Sequence, residues 1–136
     1  VTGETLDRGL IDTSVAIGLE TIDPTRLPSE VAISAMTLAE LTSGPHAASG
    51  PERARRQDHL QRIEANLECL DFDSACARAY GQIYLAIRAL GRKPRGARVI
   101  DLMIAATALG HRLPFYTLNA SDLHGLDDLI EIVDLD

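Results

Sequence analysis

Four carboxylates stand where their type and spacing could do chemistry: Asp12, Glu40, Asp101 and Asp122. Asp12 closes the apolar run Gly9-Leu10-Ile11 and precedes Thr13-Ser14, which reads as the carboxyl end of a strand, where a side chain projects into the crevice of a parallel sheet. The same place suits an N-cap for the helix that follows. Glu40 comes after the β-rich run Val31-Ala32-Ile33-Ser34 and has capping-box spacing to Thr37, which accounts for a glutamate without any chemistry. Asp101 shares a helix face with Ile104, Ala105 and Ala108, an apolar stripe expected to point inward. A carboxylate there is costly unless a cation or several hydrogen bonds compensate it, with the nearby helix N-terminus as a weaker alternative. Asp122 ends the run Thr117-Leu118-Asn119-Ala120-Ser121-Asp122, where a loop acid is ordinarily a cap or turn residue.

Taken together, three strand ends and one helix start would set these acids around one rim. Like charges so close cannot all stay ionised unless something positive sits among them. All-oxygen ligands select a hard cation, Mg²⁺ or Mn²⁺, over Zn²⁺, which favours His and Cys. The histidines His46, His59, His111 and His124 show no metal-ligand spacing and read as surface or loop residues. Cys69 and Cys76 fit neither a CxxC pair nor a disulfide framework and read as core residues.

The elements that must position the acids can be traced from periodicity and punctuation. A strand over Gly9–Ile11 leads into a helix over Val15–Leu19, and Val31–Ser34 leads into a second helix opened by Thr37. Gly44–Pro51 is a loop by composition, and Pro51 suits the first turn of a charged helix running to about Glu68. Leu70–Phe72 reads as a short strand. Asp73 or Ser74 then caps a helix whose residues Ala79, Ile83, Ala86, Ile87 and Leu90 form one apolar face, with Gly91 as its left-handed stop. The basic loop Arg92–Gly96, a helix over Ala97–Leu109, a strand over Leu113–Leu118 and a last strand over Leu129–Val133 complete the chain. Strands alternating with helices imply an α/β fold with a mostly parallel central sheet of four to five strands flanked by helices. A length of 136 residues is that of one domain, here 1–136.

Composition narrows the partners. With 46% hydrophobic and 24% charged residues the chain is neither disordered nor a coiled coil. No apolar run approaches the roughly 20 residues that cross a bilayer, and Val1–Arg8 is polar with no signal-peptide stretch, so a cytoplasmic protein without a membrane partner is expected. A net charge of −7 argues against nonspecific coating of nucleic acid. That average hides segregation: of 13 basic residues, nine fall in Arg53, Arg55, Arg56 and Arg62 and in Arg88, Arg92, Lys93, Arg95 and Arg98. The last 15 residues hold six acids and no Lys or Arg. Such a chain either presents a polyanion-binding face or simply carries two solvated helix faces.

The runs Leu10-Ile11-Asp12-Thr13-Ser14-Val15, Thr37-Leu38-Ala39-Glu40-Leu41, Asp101-Leu102-Met103-Ile104-Ala105-Ala106 and Thr117-Leu118-Asn119-Ala120-Ser121-Asp122 resemble, in order and spacing, the four signature blocks of PIN-domain ribonucleases, VapC toxins especially. The resemblance covers nearly the whole chain. It implies that Asp12, Glu40, Asp101 and Asp122 bind the catalytic metal, with Thr13, Ser14, Thr117 and Asn119 in support. Leu123 departs from the pattern, standing where many relatives have Phe, and about Gly44–Glu68 carries no signature.

The resemblance further implies an RNA-hydrolysing toxin, held in check by a VapB-type antitoxin and paired as a homodimer through a face such as Ile83–Leu90. One or two Mg²⁺ ions would align water with the phosphorus and neutralise transition-state charge, leaving a 3′-hydroxyl and a 5′-phosphate with no catalytic histidine. The basic stretches Arg53–Arg62 and Arg88–Arg98, with Arg92, Lys93 and Arg95 in the second, become candidates for gripping RNA phosphates, single-stranded loops being the expected target. A phosphoacceptor signalling domain also gathers acids around Mg²⁺, but it expects a lysine near the last strands, and here the sole lysine is Lys93. A catalytically silent binding module would have no need of four acids.

Overall fold

Alternation along the strands sorts the core into two halves. Leu10, Ala32 and Phe115 join one buried cluster, and their chain neighbours Ile11, Ile33 and Tyr116 join another, as the period of two in a pleated strand requires. A computed structural model describes residues 7–136. The reading of Val1–Arg8 as a polar segment therefore falls largely outside the described residues.

The strands are β1 (Arg8–Ile11), β2 (Glu30–Ser34), β3 (Glu68–Leu70), β4 (Phe115–Thr117) and β5 (Ile132–Asp134), and the helices are α1 (Thr13–Ile17), α2 (Ala35–Ser43), α3 (Gly50–Asn66), α4 (Ser74–Ala89) and α5 (Ala97–Gly110). All strand pairs are parallel, in a five-stranded sheet of order β3-β2-β1-β4-β5. The α4–α5 hairpin covers one face, where Ile83, Ile87, Leu102 and Ile104 meet Leu10 and Phe115. On the other, Val15 of α1, Leu41 of α2 and Leu60 and Ile63 of α3 meet Ile11 and Ile33. This is the expected α/β fold with a five-stranded parallel sheet.

Strand order reverses between β1 and β4, since the chain leaves β1 toward β2 on one side while β4 and β5 build the other. In an open parallel sheet that reversal leaves a crevice at the carboxyl ends of the two strands. Asp12 lies directly after β1, and Thr117 closes β4.

Several expectations need correction. Helix α2 begins two residues before Thr37, because Ser34 is its N-cap: Ser34 Oγ accepts from Thr37 N at 3.0 Å. Strand β3 ends at Leu70 instead of beginning there, and β5 runs to Asp134, not Val133. Cys69 is exposed on β3, whereas Cys76 is buried as expected. The face Ile83–Leu90 is not free for a partner, since Ile83 and Ile87 are 0% and 1% exposed within the chain's own core. What α4 and its C-cap present to solvent instead is Tyr84, Leu85 and Leu90. Asp73 caps α4 through Cys76 N, and Gly91 beyond its end takes φ +78°, as read from sequence. Among the described residues no helix is long and apolar enough to cross a membrane.

Candidate functional site

The crevice at the strand reversal is a pocket of about 80 Å³ lined by Asp12, Thr13, Ser14, Arg98, Asp101, Thr117, Asn119 and Asp122, with Ile104, Phe115 and Leu123 as its apolar floor.

Asp12 is the most firmly held of the acids. Its Oδ1 accepts from Val15 N at 3.0 Å, which makes it the N-cap of α1, and from Ser14 Oγ at 2.7 Å. Its Oδ2 accepts from Thr117 Oγ1 at 2.5 Å, across the β1–β4 junction. Thr117 Oγ1 in turn accepts from Asn119 N at 2.9 Å, so the loop after β4 is folded against the same carboxylate. Capping and projection into the crevice thus coexist in one side chain.

Glu40 sits well inside α2, beyond the cap formed by Ser34, so the capping-box reading of Thr37 and Glu40 does not hold. Its carboxylate borders a neighbouring groove with Ile17, Leu41 and His59 and reaches the acidic rim through Thr13, whose Oγ1 donates to Glu40 Oε1 at 2.5 Å. Asp101 departs from its expectation too. Ile104, Ala105 and Ala108 are buried, but Asp101 itself is exposed, one turn into α5 on the side that faces the pocket. Withdrawal from water inside the pocket raises its carboxyl above the usual carboxylate value, and Glu40, Asp12 and Asp122 raise it further while Arg98 opposes them. Asp122 lies in the 3₁₀ turn Ala120–Leu123, its backbone oxygen accepting from the Arg98 guanidinium.

The donors are oxygens throughout, which fits a hard divalent cation. Among the described residues, the group of three or more His, Cys, Asp and Glu donors within 4.8 Å of one another is that of Asp73, Cys76 and His111, so no three of the rim acids close to that distance.

Of the two basic stretches, the first is largely spoken for. Arg55 and Arg56 pair with Glu52, Arg62 pairs with Glu20 and Asp58, and Arg53 donates to the Pro45 and Ala48 carbonyls. Among the described residues no carboxylate pairs with Arg88, Arg92, Lys93 or Arg95, which line an open groove that Arg98 shares with the acidic pocket. The bridging place of Arg98 was missed from sequence, although its i,i+3 spacing to Asp101 is visible there. Ser34 and Thr37 were likewise missed as parts of the hydroxyl network behind Glu40.

A rim of carboxylates at the switch point of a parallel sheet defines the class, α/β domains with an acidic crevice at the carboxyl ends of their strands. Residues 10–122 match the PIN domain, and the chain belongs to that family. It is 36% identical over 123 residues to Ribonuclease VapC5 of Mycobacterium tuberculosis, covering 88% of this chain and 87% of the relative. It is also 36% identical over 113 residues to Ribonuclease VapC4 of the same organism, covering 81% and 85%. The crystal structure of VapBC-5 from M. tuberculosis, a member of the VapBC family of toxin-antitoxin systems, superposes with a TM-score of 0.80 at 34% identity, covering 94% of this chain and 98% of that one.

Proposed function

We propose that this protein is a divalent-metal-dependent endoribonuclease and the toxin of a type II toxin–antitoxin pair, with 1–136 as one PIN domain. The observation that carries the reading is the pocket at the β1–β4 reversal, which collects Asp12, Asp101 and Asp122 with Glu40 at its edge, in a chain 36% identical to two VapC ribonucleases.

Asp12, Glu40, Asp101 and Asp122 would hold the ion, Mg²⁺ first and Mn²⁺ as a substitute. When bound, it supplies Lewis-acid activation of water and charge neutralisation at the phosphoryl group, giving a 3′-hydroxyl and a 5′-phosphate. The chain's own groups do the positioning. Ser14 and Thr117 fix both oxygens of Asp12, Thr13 fixes Glu40, and Asn119 stands at the mouth as a donor for substrate. Arg92, Lys93 and Arg95 grip phosphates in the adjoining groove and lead the strand past Arg98 to the acids.

A VapB-type antitoxin is the partner this reading carries, with action in the cytoplasm. Homodimerisation would use Tyr84, Leu85 and Leu90 on the outer side of α4 and its C-cap and Ile100 on α5, which are exposed. The phosphoacceptor alternative loses support because Lys93 lines the basic groove and not the acidic pocket. The test is incubation of purified protein with single-stranded RNA: cleavage with Mg²⁺ or Mn²⁺ that stops in EDTA is expected. Cleavage that persists in EDTA, absent from a mock preparation, overturns the metal mechanism.

A further inference from the structure

Outside the acidic pocket, one cluster combines three different metal-binding chemistries. A carboxylate oxygen of Asp73, Cys76 Sγ and a ring nitrogen of His111 all lie within 4.8 Å of one another, at the start of α4 and just past the end of α5. We propose that Asp73, Cys76 and His111 form a second metal site of this protein, selective for Zn²⁺ and separate from the acidic rim that takes a hard cation.

Each donor is prepared for that use. The Cys76 sulfur is fully buried, donates weakly to the Asp71 and Thr107 carbonyl oxygens at 3.6 and 4.0 Å and also faces the Asp73 carboxylate, so a metal would take the place of its proton. Asp73 Oδ1 takes the cap N–H of Cys76 at 3.0 Å, leaving the other carboxylate oxygen to an ion. His111 Nε2 lies 3.0 Å from the Asp71 carbonyl oxygen. A carbonyl only accepts, so this nitrogen is the donor, and the neutral ring that a metal requires would then offer its lone pair on Nδ1, the arrangement common for a metal-bound histidine with an oriented ring.

The backbone holds the donors in place. An added Cβ at Gly110 would come to 2.8 Å from Cys76 Cα, N and Sγ, so only glycine lets the end of α5 lie this close against the start of α4. Zn–ligand bonds of about 2.0–2.3 Å place tetrahedral donors roughly 3.3–3.8 Å apart, so closure needs side-chain movement on the order of 1 Å. Asp73 is exposed and His111 half-buried, which gives the ion a way in and the donors freedom to move. A thiolate, a carboxylate and a neutral imidazole would offset the charge of Zn²⁺, and three protein ligands leave a fourth position for water. Bound metal would clasp the open end of the α4–α5 hairpin, whose α5 carries Asp101.

The experiment uses the full chain, freed of metal by chelation and dialysis and titrated with Co²⁺ alone. A thiolate-to-cobalt charge-transfer band should grow to one equivalent and vanish when Zn²⁺ displaces the cobalt. The acidic pocket contains no sulfur and cannot give this band. Asp73→Asn keeps an N-cap oxygen and loses an anionic ligand, so it should weaken Co²⁺ binding by more than the roughly ten- to hundredfold seen for residues behind a ligand. His111→Gln should do at least as much, Cys76→Ser should abolish the band, and Cys69→Ser should leave it intact. If Cys76→Ser does not fold, the wild-type band and its weakening in Asp73→Asn and His111→Gln decide the matter. No band in the wild type at excess Co²⁺, or full-strength binding in Asp73→Asn and His111→Gln, or loss of the band in Cys69→Ser, overturns the site.

Discussion

Thr13 Oγ1 donates its one proton to Glu40 Oε1, and that bond sets the direction of every hydroxyl behind it. Because a carboxylate only accepts, Thr13 has no proton left for Thr37, and the 3.0 Å contact between their hydroxyls must run from Thr37 to Thr13. Thr37 in turn accepts from Ser34 Oγ at 3.2 Å, and Ser34 Oγ accepts from Thr37 N. An ordered row of donors, Ser34 to Thr37 to Thr13, thus ends on an acid of the rim, with Ser34 and Thr37 fully buried.

Glu40→Gln separates a ligand from a cap. Since Ser34 already caps α2, glutamine at 40 should leave the metal-free melting temperature unchanged or slightly raised as repulsion on Asp101 is relieved. RNA cleavage at saturating Mg²⁺ should fall by about a hundredfold or more. A wild-type cleavage rate in this variant removes Glu40 from the site.

Thr13→Val takes away the donor that aims Glu40 while keeping side-chain volume. Activity should drop by roughly ten- to hundredfold, as for other residues behind a metal ligand, with partial recovery at high Mg²⁺. Steady-state cleavage measured across Mg²⁺ concentrations checks this, and an unchanged Mg²⁺ dependence assigns the bond to structure alone.

Ser34→Ala should destabilise the fold by about 1 kcal/mol through loss of the α2 N-cap. Chemical denaturation reads it directly. A loss near zero would return the capping role to Thr37.

Asp101 makes stability depend on pH. Its folded carboxyl titrates above the ordinary 3.8, chiefly through desolvation, so its contribution to stability is full below that value and is lost as pH rises through the elevated one. Asp101→Asn should therefore raise the metal-free melting temperature at neutral pH, and the gain should fade toward pH 3.8 and below. Thermal melts in a pH series would show it, and a gain of equal size at acid pH would contradict an origin in the ionised carboxylate of Asp101.

Replacing Arg92, Lys93 and Arg95 together by Ala should weaken RNA binding and reduce its salt slope by up to about 2, near 0.7 for each phosphate contact on a single strand. The matching triple change at Arg55, Arg56 and Arg62 should leave the slope nearly unchanged, since those side chains already pair with Glu52, Asp58 and Glu20. Filter binding at several salt concentrations distinguishes the two sets, and equal slopes for both would return the loop to a solvated face.

Where hydrophobic periodicity was strong, the fold could be read from sequence. Leu10-Ile11 before Asp12, and Ile104, Ala105 and Ala108 after Asp101, placed β1 and α5 correctly. Glu40 was harder because Ser34 and Thr37 are both good caps, and the helix takes the first of them, Ser34, directly at the end of β2. Strand β3 slipped by two residues since it is an edge strand whose Glu68 and Cys69 are both exposed and show no alternation. His111 offered no spacing to Cys76 along the chain. Their nearness arises from the α4–α5 hairpin and from a glycine, and neither announces a pair of ligands in one dimension.

The bond between Thr117 Oγ1 and Asp12 Oδ2 joins residues 105 apart in the chain. Closing a loop of that length costs entropy before any contact offsets it, so the β1–β4 pairing belongs to the slow, non-local part of folding. A chain emerging from the ribosome at about 5–20 residues per second therefore carries Asp12 for several seconds with nothing opposite it. The pocket comes into being only when β4 docks, so its full set of acids is assembled only once nearly the whole chain has been made.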